Sequence, residues 1–148
     1  MKKQHTKLAK LITEGIEHKR IQNCLTKFAE ENGFTEEVNF RSGLNPDVLH
    51  LKKNGQIRSL FMGDAKNAAN ETPGNSDTTD RFSKYISEFV WCLQNEEIDD
   101  GIIAVATNTY EAAMQWQEWL NNECAKVGLI DPSFEIKEIE SKTYTIYW

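Results

Sequence analysis

The sequence predicts an α/β fold, a mixed β-sheet flanked by helices, as a single domain over residues 1–148. Three observations predict it. An Asn54-Gly55 hairpin signal separates two β-type runs in "NPDVLHLKKNGQIRSLFMGDAK". A continuous apolar run, "GIIAVAT" at residues 101–107, has the character of a strand buried on both faces. Around these lie stretches whose apolar residues recur at helical spacing.

Each element follows in order. Residues 4–32 are helical in pattern and close at Asn32-Gly33, a stop signal. Within them Glu17, Ile21, Cys24 and Phe28 share one face, so Glu17 is a carboxylate on a stripe that otherwise reads as buried. Glu36 to Phe40 reads as a short strand, Arg41-Ser42-Gly43 as a turn, and the hairpin comes next. Residues 67–80, "NAANETPGNSDTTD", form a polar loop of a length that is more often functional or mobile than idle. Phe82, Ile86, Phe89 and Leu93 mark a second helix with Thr79 or Asp80 as its N-cap. After the 101–107 strand, a third helix runs from Tyr110 to Val127 and stops at Gly128. Phe134 to Ile139 and Thr143 to Trp148 complete the chain as two strands. The order is helix, three strands, helix, strand, helix, two strands, which builds an α/β sandwich.

Charge and cysteine content narrow the function classes. The net charge is −6, against a chain that coats nucleic acid nonspecifically. Residues 1–60 hold 11 Lys/Arg and 7 Asp/Glu, giving +4, whereas residues 61–148 hold 6 and 16, giving −10. The asymmetry leaves room for a local basic surface near the N-terminal half, the plainer reading being that the acidic half is a solvated surface. The longest apolar run, Ile102 to Ala106, is far too short to span a bilayer, and the N-terminus lacks the apolar core of a signal peptide, so no membrane partner is expected. Cys24, Cys92 and Cys124 are odd in number, widely spaced and set among apolar helical positions. They read as buried thiols in a reducing cytoplasm, not as a disulfide framework or zinc site.

The hairpin carries the chemistry. With Asn54-Gly55 as a two-residue loop, Lys53 faces Gln56, Asn45 faces Asp64, and Asp47 faces Met62. Asp47, Asp64 and Lys66 then fall on one side of the hairpin, at the end away from its turn. The two acids are diagonal neighbours, about 7–8 Å apart at the backbone and within reach of one cation. Leu49, Leu51, Leu60 and Met62 complete that face, so the charges stand at the rim of an apolar surface. Paired acids repel unless a cation or a proton intervenes, and hard oxygen ligands suit Mg²⁺. A metal there acidifies water and neutralises phosphoryl charge, with Lys66 placed to hold the water or offset the developing charge. The plainer alternative is a pair of strand-end acids in salt bridges with Lys66.

Pro46-Asp47 followed across a hairpin by Asp64-Ala65-Lys66 resembles the motif of the PD-(D/E)xK, or restriction-endonuclease-like, nuclease superfamily. The superfamily's α-βββ-α-β core is similar to the element order read for residues 4–107, here extended by a C-terminal helix and two strands. The resemblance implies a metal-dependent nuclease hydrolysing phosphodiester bonds in DNA, an endonuclease or an exonuclease. Asp47 and Asp64 would hold Mg²⁺ or Mn²⁺, and Lys66 would serve the reacting water. It also implies a Glu from the first helix at the metal, for which "EGIEHKRIQ" offers Glu17, with Glu14 as the alternative; His18 beside it reads as a surface residue. One branch carries Gln-x-x-x-Tyr on the following helix. Here Arg81 stands for the Gln and Tyr85 matches, so Arg81, Lys84 and Tyr85 become candidates for phosphate contact.

Two other readings stand beside this one. A non-catalytic interaction protein of the same fold would dock a protein partner through the acidic C-terminal half, "QNEEIDD" and the Glu-rich stretch after Phe134. A nuclease acting on RNA or a branched junction would keep the metal site and change the substrate. A homodimer serves the nuclease and the interaction protein alike, since duplex cleavage often uses two symmetry-related sites.

Overall fold

The computed structural model describes residues 2–129 and 132–148. The fold is α/β: a six-stranded mixed sheet flanked by three helices. The elements are α1 (Lys2–Glu31), β1 (Glu36–Glu37), β2 (Val48–Asn54), β3 (Ile57–Lys66), α2 (Ser76–Gln94), β4 (Asp100–Thr107), α3 (Tyr110–Lys126), β5 (Glu135–Glu140) and β6 (Thr143–Tyr147). This is the order expected from the sequence.

Spatially the strands run β1-β2-β3-β4-β6-β5. β1, β2 and β3 form an antiparallel meander, β4 lies parallel to β3, and β6 and β5 extend the sheet antiparallel. The crossover from β3 to the parallel β4 needs a long connection, and α2 supplies it. The central strands are therefore covered on both sides, as the apolar run of β4 requires. At the far edge, β5 turns Glu135, Lys137, Glu138 and Glu140 to solvent, charges that discourage pairing with another chain.

Strand alternation divides the core. Phe61 and Ala65 of β3, with Ala104 and Ala106 of β4, pack against Ile21, Leu25, Phe28 and Ala29 of α1. Leu60 and Met62, with Ile103 and Val105, pack against Phe82, Ile86 and Phe89 of α2 and Trp116 and Leu120 of α3. Cys24, Cys92 and Cys124 are free and buried within these layers. Trp91 is exposed on the outer face of α2 beneath the Arg41 guanidinium. No described helix is long and apolar enough to cross a membrane.

Two boundaries differ from the sequence expectation. α2 begins a turn earlier, with Asn75 as N-cap accepting from the Asp77 and Thr78 amides, not with Thr79 or Asp80. Asn75, Thr79 and Asp80 all have cap chemistry, and periodicity does not choose among them. In the hairpin, the loop is Gly55-Gln56 rather than Asn54-Gly55, with Asn54 facing Ile57. Gly55 has φ +66° and Gln56 does not share the positive φ, the sign pattern of a type II′ turn, which demands Gly at its first central position.

A close approach between β3, β4 and α2 depends on Gly101. A Cβ there would stand 2.2 Å from the Leu60 carbonyl oxygen and 2.9 Å from the Phe89 ring. Gly101→Ala must push strand from strand, and a loss of about 1–3 kcal/mol or more is expected in urea unfolding. A midpoint equal to wild type would show that the interstrand gap opens without cost.

Candidate active site

The site lies at the end of the sheet where β2 begins and β3 ends. Parity on β3 carries Asp64 and Lys66 onto the same face as Leu60 and Met62, one step past the packed core. Asp47 immediately precedes β2, and the Val48–Gly63 pair places it directly across from Asp64. The two are thus opposed, where the sequence expectation had them diagonal. The ladder is displaced by two positions, and an even displacement keeps every side chain on its face.

The acids are tied to the backbone and to each other's strand. The Asp47 amide donates to Asp64 Oδ1 at 2.7 Å, and the Ala65 amide donates to Asp47 Oδ2 at 2.8 Å. Lys66 Nζ sits 2.8 Å from Asp64 Oδ2, both side chains almost wholly buried. Burial pushes the Asp64 carboxyl up to about 6; the Lys66 charge opposes the rise and the Asp47 charge adds to it. Burial acts to raise Asp47 as well, but hydrogen bonds from His18 and the Ala65 amide outweigh it and hold Asp47 below the ordinary value.

Two residues outside the expected set complete the cluster. His18 of α1 places Nε2 3.3 Å from Asp47 Oδ2 and Nδ1 2.9 Å from Glu71 Oε1. Glu71, from the loop after β3, also lies 3.8 Å from Lys66 Nζ. Burial works to raise Glu71, but its bonds with His18 and the Asn67 amide and the Lys66 charge bring it below the ordinary value. Among the described residues, no three His, Cys, Asp or Glu side chains are arranged to hold a metal ion. In this structure the acids are answered by Lys66 and His18.

Glu17, expected at the metal, lies elsewhere. Its carboxylate takes the Arg20 guanidinium at 2.5–2.6 Å, and Arg20 in turn reaches the Thr143 hydroxyl of β6. The buried stripe of α1 is centred on Ile21 and Leu25. Glu17 falls on its β6 side and His18, about 100° further round, on the β2–β3 side. Glu14, one turn before His18, accepts from the Asn70 side chain at 3.2 Å without joining the acids. The helical pattern identified the inward face; it did not say which edge of that face meets the hairpin. Glu71 gave no signal in a polar loop, and only its length marked the loop as worth attention.

On α2, Tyr85 is buried and its hydroxyl donates to the Asn45 carbonyl at 3.4 Å, beside Asp47. Burial, with the Asp64 charge behind it, pushes its phenol up to about 12. Arg81 and Lys84 are exposed and make no ion pair among the described residues. Lys84 lines an open groove of about 530 Å³ with Arg41, Leu44 and Trp91.

His18 links the cluster to pH. Hydrogen bonds to Asp47, the larger effect, and to Glu71 raise its pKa from 6.5 to about 10. A raised folded-state pKa gives stability that is full below 6.5 and is lost as pH climbs through 10. Wild-type stability should therefore decline across that window. His18→Gln should flatten the decline in urea melts taken at several pH values. Parallel curves for the two proteins would remove His18 from the cluster's energetics.

Compared with protein-family models, curated proteins and solved structures, the chain matches none.

Proposed function

We propose that the chain is a metal-dependent phosphodiesterase acting on DNA, with Mg²⁺ or Mn²⁺ as cofactor, in the manner of the restriction-endonuclease-like nucleases its motif resembles. One observation carries the reading: Asp47 and Asp64 oppose each other across adjacent strands, with Lys66 2.8 Å from Asp64. Setting the buried Asp64 beside a second, half-buried carboxylate is costly, and an arrangement that does so is a candidate for chemistry.

The donor set fits a divalent cation chemically. Carboxylate oxygens are hard ligands, and Asp47 Oδ1 accepts no hydrogen bond among the described residues. Asp47 and Asp64 would hold the ion, with His18 from α1, its Nε2 proton released to solvent on metal binding, in the part expected of Glu17. When bound, a divalent cation supplies an acidified water and neutralises charge on a phosphoryl oxygen. Lys66, fixed against Asp64, offers a positive group to charge developing at the phosphate. Tyr85 props the Asn45 carbonyl beside Asp47, and Arg81 and Lys84 remain open to the backbone of a bound strand.

The test is incubation of wild-type protein with labelled single-stranded, duplex and branched DNA and with RNA, in Mn²⁺, Mg²⁺ or EDTA. Cleavage that needs the metal is expected; intact substrates throughout would overturn the reading. A second reading, a non-catalytic binding protein, draws on one observation: the acids are already satisfied by Lys66 and His18. It predicts no cleavage and capture of a basic protein partner by the acidic C-terminal half.

A further inference from the structure

The residue that nothing in the motif explains is Glu71. Its loop leaves β3, turns once and lies against α1. Asn67 is buried and anchors the turn: its carbonyl accepts the Glu71 amide at 2.7 Å and the Asn70 amide at 3.1 Å. Its side-chain oxygen accepts the Ala69 amide at 3.0 Å and the Asn108 amide group at 3.3 Å. The Asn70 side chain reaches Glu14 one turn before His18 on the helix. Glu71 is thereby held on a short, multiply bonded turn. Its Oε1 accepts both the Asn67 amide at 3.1 Å and the His18 ring at 2.9 Å.

An imidazole has two nitrogens, and the hydrogen bond made by one decides what the other can do. We propose that Glu71 is a positioning residue of the site: it accepts the His18 Nδ1–H and so holds the ring with Nε2 toward the Asp47 carboxylate. The alternative duties of Glu71 are weaker on the geometry. Lys66 is 3.8 Å away and has its nearer partner in Asp64 at 2.8 Å. Carboxylates that orient a histidine beside a metal commonly matter to affinity by about 10–100-fold. The metal arm of this inference rests on the function proposed above; the ring geometry does not.

The experiment has two arms. Proton and nitrogen NMR of the metal-free protein reads the His18 ring directly. A protected Nδ1–H signal is expected in the wild type and in Glu71→Gln, whose amide oxygen still accepts, and is expected to vanish in Glu71→Ala. Calorimetry with Mn²⁺ then follows the consequence. Glu71→Ala should weaken binding by about 10–100-fold in the wild-type background and by nothing further in the His18→Ala background. An Nδ1–H signal that survives Glu71→Ala overturns the proposal, as does an equal loss of affinity in both backgrounds. A wild type that binds no Mn²⁺ would defeat the metal reading, and the NMR arm would still decide the role of Glu71.

Discussion

Asp64→Ala should lose Mn²⁺ binding and DNA cleavage together, while Glu17→Gln keeps both. The first half follows from the position of Asp64 in the cluster. Its two oxygens are the contacts of the Asp47 amide and of Lys66, so its removal takes a candidate ligand and the lysine's anchor at once. A fall in cleavage rate of about 10²–10³-fold or more is the expected scale for removing one preorganised group from such a site. The second half separates the geometry from the motif. Glu17 is occupied by Arg20 on the β6 side of α1 and touches none of the acids. Calorimetry and a cleavage assay on both variants, with circular dichroism to confirm folding, check the pair. Loss of activity in Glu17→Gln would return the first-helix glutamate to the metal and remove His18 from that part.

Different physical signals reach different residues of the site. Asn54-Gly55 located the hairpin correctly but not its ladder, because a glycine at the first central position of the turn draws the loop one residue toward β3. The error was harmless to the site: with a side-chain period of two, a displacement of two preserves the face, and Asp47, Asp64 and Lys66 stay together. A displacement of one would have put the acids on opposite faces. Helical periodicity was similarly partial. It found the stripe of Ile21, Cys24 and Phe28, all buried, and could not rank its two margins. That choice is made by where α1 crosses the sheet end, a tertiary fact. His18 and Glu71 lie 53 positions apart and meet only because the loop after β3 folds back over the helix. No local pattern announces such a meeting.

Lys66→Met should destabilise the protein at pH 8 far more than at pH 5, and adding Asp64→Asn should undo most of the damage. Lys66 and Asp64 are both almost fully buried, and removing one partner of a buried pair costs about 3–5 kcal/mol because the other charge is stranded. Asp64 has an escape, since its folded-state pKa already stands at about 6 and the Lys66 charge is what restrains it from rising further. A carboxyl whose pKa is raised on folding contributes stability below its unfolded value near 3.8 and loses it as pH climbs through the folded value. At pH 5 the carboxyl is largely protonated, the lysine has little to neutralise, and its loss is cheap. At pH 8 the stranded carboxylate must either stay charged in a buried site or take up a proton against the solution. The double variant, Asp64→Asn with Lys66→Met, removes both charges and should melt near the wild type at either pH, yet cut nothing. Urea unfolding of the three proteins at the two pH values reads all of this. Recovery of stability without recovery of cleavage would mean that the fold does not need the pair, and that it is kept for chemistry. A double variant as unstable as Lys66→Met would instead make the pair a structural fixture, and the binding-protein reading would gain on the nuclease.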